Sequence, residues 1–415
     1  MTPDKIDIVM FNMSCYTEWQ RGIANRNFHI LHTLLRDPRV RKVVAIDYMP
    51  FTFRRAVRQW LYNVLGGVAG KVLSRGLWHK FVAVRESEIE RTGYNLPGYE
   101  AGAVPFKLFV YSDISSWWSE KLFYKHLERE LKRLDLRNVV LWSYTPAFVG
   151  YFDKLKAKLS VFEAVDNWLE HSSYQRYRER LRLNYQTIRY RADLIFTTSP
   201  ELVRFFDRSG GCSFVPNGVN LEQFAAAAKL VDRDFAALPR PIIGYVGTIQ
   251  EDRFDVDLLA YLAQANPAKS FVLVGPVWPG LAKVVEQRLK PLPNVHFLGR
   301  RSSRDIAAYF KEFNVGIMPH LQNEFNRHTN PMKLYEYLAA GQPIVATPSP
   351  GLEEFKGIVH FASTPEAFNQ ELLQALAENE PAAASSRRAL AQQHSWSKRV
   401  EVMFDKLWPL ISERS

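Results

Sequence analysis

Short apolar, β-branched runs alternate with stretches of helical period along most of the chain. In the first half the runs at residues 7–11, 43–47, 106–110, 139–142, 159–162 and 194–197 read as strands, with helical periodicity at 117–134 and 174–191 between them. The second half repeats the rhythm at 242–246, 271–274, 295–298, 315–318 and 344–346, each run followed by a helical stretch. Strands alternating with helices imply parallel sheets covered on both faces. The pattern therefore predicts an α/β chain of two doubly wound, Rossmann-like domains. Turn-rich VPNGV, a low-complexity run at 225–228 and LPRP place the join within 217–241. The domains expected are 1–217 and 218–394, with 395–415 as a closing helix that crosses back to the first domain. Open α/β sheets present ligands at the carboxyl ends of their strands, so two facing sheets predict a cleft lined by strand-to-helix loops.

Charge alters this picture in one place. The 415 residues hold 54 Lys+Arg against 43 Asp+Glu, a net charge of +11. Seven of those basic residues, and no acidic one, fall within 51–85. A localised basic segment asks for a localised anionic partner. Within it, Phe53, Ala56, Val57, Trp60, Leu61, Val64 and Leu65 share one face of a helix over 53–65, while Arg54, Arg55 and Arg58 lie off that face. Tryptophan is favoured at headgroup depth, so the segment reads as an interfacial helix on an anionic inner-membrane surface. The competing reading packs this helix on the domain's own sheet, with its arginines in water. A nucleic-acid partner is not expected, because the charge is concentrated in one short segment of helical periodicity.

Other classes fall away on composition. With 47% hydrophobic residues the chain is an ordinary folded protein. Two cysteines, Cys15 and Cys212, exclude a disulfide scaffold, and no Cys/His cluster has metal-ligand spacing, so no metal is expected. No apolar run approaches the ~18 residues of a membrane span, and no signal sequence is visible. The expected location is cytoplasmic, peripheral on the cytoplasmic face of the membrane. No G-x-G-x-x-G follows a strand, which disfavours a dinucleotide-dependent oxidoreductase.

The stretch NPMKLYEYLAAGQPIVAT, 330–347, carries the most chemistry. Pro331 suits the first turn of a helix, and Leu334, Tyr337 and Leu338 form its buried face. Gly341 ends it, before a buried strand. Lys333 and Glu336, three apart, share one side near the N-terminus. A lysine there joins the helix dipole in favouring a phosphate. A carboxylate one turn on can accept hydrogen bonds from paired hydroxyls such as a ribose offers. The alternative is a solvated ion pair. In IGYVGTIQEDRF, Gly247 would let backbone approach a diphosphate closely, or simply ends a strand. In LSVFEAVDNWLEHSS, Asp166 stands just beyond a buried strand, as a general base or as the N-cap of the next helix. Glu18 and His171 are secondary candidates.

These residues also resemble a known family. The 330–347 stretch is similar to the donor-site helix of GT-B nucleotide-sugar glycosyltransferases, in particular the glycosyltransferase group 1/family 4 class. VPNGVNLEQF, IGYVGTI, FVLVGP, NVHFLGR and the closing HSW match further and in order, covering most of 194–400. The resemblance implies the GT-B fold and transfer of a sugar from a nucleotide-diphosphate donor, UDP favoured, to a glycan or lipid-linked acceptor in surface polysaccharide or glycoconjugate assembly. It implies no metal, the leaving group being met by basic side chains and helix dipoles. Glu336 matches the second glutamate of the family's paired-glutamate motif, on the donor ribose. The first glutamate's position holds His328. Thr248 and Arg253 stand where the family has an Arg and a Lys on the diphosphate, and Gly299 and Arg300 fall in the loop that wraps the base. Met332-Lys333 also resembles the membrane-associated glucuronosyltransferases of exopolysaccharide synthesis, where the lysine neutralises phosphates. Those enzymes invert whereas the paired-glutamate family retains, and both courses stay open. A non-catalytic GT-B binding protein is the remaining alternative.

Overall fold

The computed structural model describes residues 5–47, 49–50, 52–68, 70–85, 88–89, 106–206, 210–227, 232–378 and 380–414. Phe51 and Ala69 of the basic segment, residues 228–231 of the linker and Ser415 of the closing helix lie outside these residues.

Two sheets organise the chain. The first contains β1 (Ile6–Phe11), β2 (Val40–Ile46), β3 (Lys71–Arg75), β4 (His79–Val84), β5 (Leu108–Asp113), β6 (Val139–Ser143), β7 (Leu159–Ala164), β8 (Leu194–Thr197) and β9 (Cys212–Phe214). Their order is β3-β4-β5-β2-β1-β6-β7-β8-β9, parallel except for β4, which runs antiparallel to both neighbours. All six residues of β1, IDIVMF, are buried, as a central strand covered on both faces requires. The second sheet holds β10 (Ile242–Val246), β11 (Ser270–Val274), β12 (Val295–Gly299), β13 (Val315–Met318), β14 (Ile344–Ala346) and β15 (His360–Phe361). It runs β12-β11-β10-β13-β14-β15, parallel throughout. Strand order reverses beside β1, where β6 joins, and beside β10, where β13 joins. Those two switch points are where an open α/β sheet leaves a crevice at its strand ends.

The chain passes between the domains twice, side by side. The Val219 amide donates to the His394 carbonyl at 3.0 Å, the Trp396 amide to the Val219 carbonyl at 3.2 Å, and Arg399 Nε to the Asn217 carbonyl at 3.0 Å. The helix Trp396–Glu413 then joins the first domain, where Met403, Phe404 and Leu407 share a core with Ile30 and Leu31 of the helix Arg26–Arg36. Among the described residues no helix is long and apolar enough to cross a membrane.

The basic segment departs from the periodicity reading. An α-helix covers only Phe53–Gln59 and continues as a wider π-helical turn, Trp60–Leu65. The extra residue per turn rotates the far end. Ala56, Gln59, Asn63 and Val64 face inward, while Phe53, Val57, Leu61 and Leu65 stay exposed. Polar anchoring accounts for it. The Asn63 amide donates to Asp47 Oδ2 at 3.0 Å, and its carbonyl accepts from the Thr17 hydroxyl at 2.5 Å. Beyond Gly66 the helical period ends, and 71–84 fold as the β3–β4 hairpin.

Candidate active site

The helix Met332–Ala340 starts after Pro331 and stops at Gly341, whose φ of +81° is the left-handed turn that glycine adopts without cost. Leu334, Tyr337 and Leu338 are fully buried. Lys333 is buried too, which removes the solvated ion-pair alternative. Its Nζ lies 3.3 Å from the Tyr245 hydroxyl, 3.3 Å from His320 Nε2 and 4.5 Å above the Tyr245 ring. Among the described residues no carboxylate pairs with it. Burial drives the Lys333 ammonium down to about 7 and the Glu336 carboxyl up to about 7. Burial, reinforced by Lys333 and Arg253, holds His320 well below its ordinary value, so its ring accepts from Lys333 as a neutral imidazole. A buried cation held by neutral acceptors attracts an anion strongly.

Beside Lys333 the strand ends open onto the same space. Gly247 follows β10 at φ +144°, and a Cβ there would come within 3.1 Å of Lys333 Nζ. Gly275 follows β11 at φ +150°, where a Cβ would collide with the Gly247 carbonyl. The second glycine was not singled out from the sequence, although it ends the FVLVGP run in the same way.

A cleft of about 580 Å³ separates the two sheets. It brings together Asp166, His171, Gly247, Thr248, Arg253, Arg300, Met332, Lys333 and Glu336. Asp166 and Arg253, from opposite domains, approach to 3.6 Å. The N-cap alternative for Asp166 does not hold, because the next helix, Ser172–Tyr177, is capped by His171, whose Nδ1 accepts from the Ser173 amide at 3.1 Å. His171 Nδ1 lies 3.2 Å from Asp252 across the cleft, and burial lowers its basicity. Arg300 is exposed at the cleft edge, whereas Arg301 is tied to Asp232 at 3.2 Å and to the Tyr309 hydroxyl at 2.8 Å. Gly299 closes β12 one residue before Arg300.

Other candidates lie elsewhere. Glu18 receives the Cys15 amide at 3.0 Å in a helix capping box and pairs with Arg58 at 3.1 Å. His328 caps the short helix Glu324–Arg327, with Nδ1 2.7 Å from the Glu324 carbonyl. Arg54, Arg55 and Trp60 belong to the surface of the first domain outside the cleft. Among the described residues one group has metal-ligand chemistry: His79, Asp113 and His126, with ligand atoms within 4.8 Å of one another. None of the three lines the cleft.

Sequence reasoning missed the first domain's deepest cleft residue. Arg26 is 1% exposed, pairs with Glu163, and donates to the Pro216 carbonyl at 2.9 Å and Asn217 Oδ1 at 3.1 Å. Its Nη2 has no hydrogen-bond partner. Asn217 in turn donates its backbone amide to Asn330 Oδ1 at 2.8 Å, just before the helix Met332–Ala340. His29, also in the cleft wall, stacks on Trp396 at 5.0 Å and is pushed down to about 3 by burial.

Comparison with known proteins bears on the second domain and on the overall fold. Residues 240–378 match the family described as Glycosyl transferases group 1. TuaH of Bacillus subtilis (strain 168), named for a glycosyltransferase role in teichuronic acid biosynthesis, is 33% identical over 143 residues. That stretch is 34% of this chain and 36% of the relative, so the match spans about a third of the relative's length. Among solved structures, Anabaena Alr3699/HepE in complex with UDP aligns over 98% of this chain and 100% of its own, at TM-score 0.63 and 14% identity. Sucrose-phosphate synthase from Thermosynechococcus elongatus aligns over 99% and 100%, at TM-score 0.66 and 16% identity.

Proposed function

We propose that this chain, a GT-B protein whose residues 240–378 match the group 1 glycosyl transferases, moves a sugar from a nucleotide-diphosphate donor to a glycan or lipid-linked acceptor. The observation that carries this is Lys333: a buried ammonium whose hydrogen-bond partners among the described residues, Tyr245 and His320, are both neutral, in the first turn of a helix, at the strand ends where the second sheet reverses its order. A diphosphate completes its charge, and the helix dipole adds to the attraction. Glu336, one turn on, takes the ribose hydroxyls. Gly247 and Thr248 border the diphosphate, Arg253 meets it from the cleft side, and Gly299 with Arg300 borders the base. UDP is favoured because it is the nucleotide bound to the structural relative Alr3699/HepE.

As the glycosidic bond to phosphate breaks, negative charge grows on the departing diphosphate. Lys333 and Arg253 stabilise it in a site partly shielded from water, where such contacts are strongest. The reading needs no metal for this step. The acceptor hydroxyl enters from the first domain. In an inverting course Asp166 takes its proton as it attacks. In a retaining course the same carboxylate positions the hydroxyl. The pathway proposed is surface polysaccharide or glycoconjugate assembly, carried out peripherally on the cytoplasmic face of a membrane.

Saturation binding across a panel of nucleotides and nucleotide sugars tests the reading. UDP and at least one UDP-sugar should bind the parent chain and bind Lys333→Ala much more weakly. Absence of nucleotide binding by the parent would overturn it.

A further inference from the structure

We infer that the membrane contact in this reading is made by a three-part aromatic surface of the first domain, extending beyond the single basic helix. The surface rests on the proposed peripheral association, and its partner is the headgroup layer of an anionic bilayer. Its first part is the exposed side of Phe53–Leu65, with Phe53 63% and Leu61 50% exposed. The second is the tip of the β3–β4 hairpin, where Leu77 is 63% exposed and Trp78 37%. The third is the loop carrying Trp117 and Trp118, with Trp118 46% exposed.

These parts form one patch. The Phe53 ring lies 5.1 Å from Trp117, Trp78 lies 5.0 Å from Trp118, and Trp60 lies 6.3 Å from Trp78. Trp60 itself is pinned, its indole N–H donating to the Leu77 carbonyl at 2.9 Å. It is therefore the brace that joins helix to hairpin, and Trp78, Trp117 and Trp118 are the tryptophans free to reach headgroup depth. Large apolar side chains clustered and left in water mark an interaction surface. Indole and phenyl rings beside Lys and Arg are the composition that an anionic bilayer interface selects.

Charge favours that occupant. Arg54 is exposed next to Phe53, Arg75 is exposed beside the hairpin tip and donates to the Leu65 carbonyl at 3.2 Å, and residues 51–85 carry seven basic side chains with no acidic one. Each basic residue near an anionic surface strengthens partitioning about fivefold. The patch also adjoins the cleft. Arg55 donates to the Tyr174 hydroxyl at 3.3 Å, and the Tyr174 ring stacks on Trp168 at 4.5 Å, two residues beyond Asp166. Docking here brings the acceptor wall of the cleft close to the lipid surface, where a lipid-linked acceptor has its sugar.

The test is vesicle flotation of the full chain with phosphatidylcholine alone and with phosphatidylcholine containing phosphatidylglycerol. The parent should float only with the anionic vesicles. Leu77→Ser/Trp118→Ser should reduce the bound fraction at least tenfold, and Arg54→Glu/Arg75→Glu should abolish the preference for anionic lipid. UDP affinity, measured on the same samples, should stay at the parent's value in both variants, which shows that they are folded. Failure of the parent to float, equal flotation of all three proteins, or salt-sensitive retention on DNA without flotation would each overturn the assignment. Loss of UDP binding in a parent that still floats would overturn the glycosyl-transfer reading and leave the surface standing.

Discussion

Asp166 of the first domain and Arg253 of the second face each other at 3.6 Å across the cleft, the one a candidate base and the other a candidate diphosphate ligand. Neither is fully buried, so their mutual attraction is modest and can be exchanged. A diphosphate offers Arg253 a stronger, charge-assisted partner. Nucleotide binding should therefore release the Asp166 carboxylate toward the acceptor. In an inverting enzyme Asp166→Asn should lower turnover ~10²–10⁴-fold with nearly unchanged UDP affinity. Product anomer and single-turnover rate, measured together, check this. A product of retained configuration would assign Asp166 to positioning.

Lys333→Ala should raise the UDP dissociation constant about tenfold or more, since a charge-assisted hydrogen bond contributes ~1.5–3 kcal/mol. Glu336→Gln should weaken uridine and UDP alike, because it acts on the ribose. Calorimetric titration with uridine, UMP and UDP separates the two side chains.

The same pair sets a pH dependence. Binding needs Lys333 protonated, and its value of about 7 in the free protein means that this form is lost as pH rises above 7. Binding also needs Glu336 ionised, and its value of about 7 means that this form is lost as pH falls below 7. UDP affinity should peak near neutrality and fall on both sides, by up to about tenfold per pH unit. Lys333→Ala should flatten the alkaline limb and Glu336→Gln the acidic one. A parent profile flat from pH 6 to 9 would contradict the assignment.

Arg26→Met should cost about 3–5 kcal/mol of stability, because it leaves the buried Glu163 charge uncompensated, with the Trp142 indole N–H at 2.7 Å still donating to it. The double variant Arg26→Met/Glu163→Met should recover most of that loss in denaturant unfolding. If Arg26 served only the fold, catalysis would recover with it. The open Nη2 in the cleft wall instead predicts that the rescued protein stays impaired in KM or kcat.

The central strands were legible because each is a short apolar run bounded by turns. The runs at 194–197, 242–246, 315–318 and 344–346 coincide with β8, β10, β13 and β14. β9 and β15 were not read, being three and two residues long and too short for a period to show. The β3–β4 hairpin was hidden because its basic residues continued the composition of the helix before it. That Lys333 and Glu336 share one helix was readable because it follows from local spacing, and the structure puts both in the cleft lining. Arg26 was not, because its meaning depends on Glu163, 137 positions later in the chain. His320 was invisible for the same reason: only folding puts a neutral ring beside a buried ammonium.

The paired crossings at Val219 and His394–Trp396 have a mechanical consequence. Two segments bonded edge to edge behave as a strap: stiff against twisting about its length and against sliding, compliant only to bending across its width. Rotation about this strap is therefore the relative motion of the lobes expected to cost least, and it would change the gap between Arg253 and Asp166 more than it would shear one past the other. Cutting the chain after His394 would leave one segment where there were two. The lobes would then gain torsional freedom, and the geometry at the far side of the gap would no longer repeat from one closure to the next.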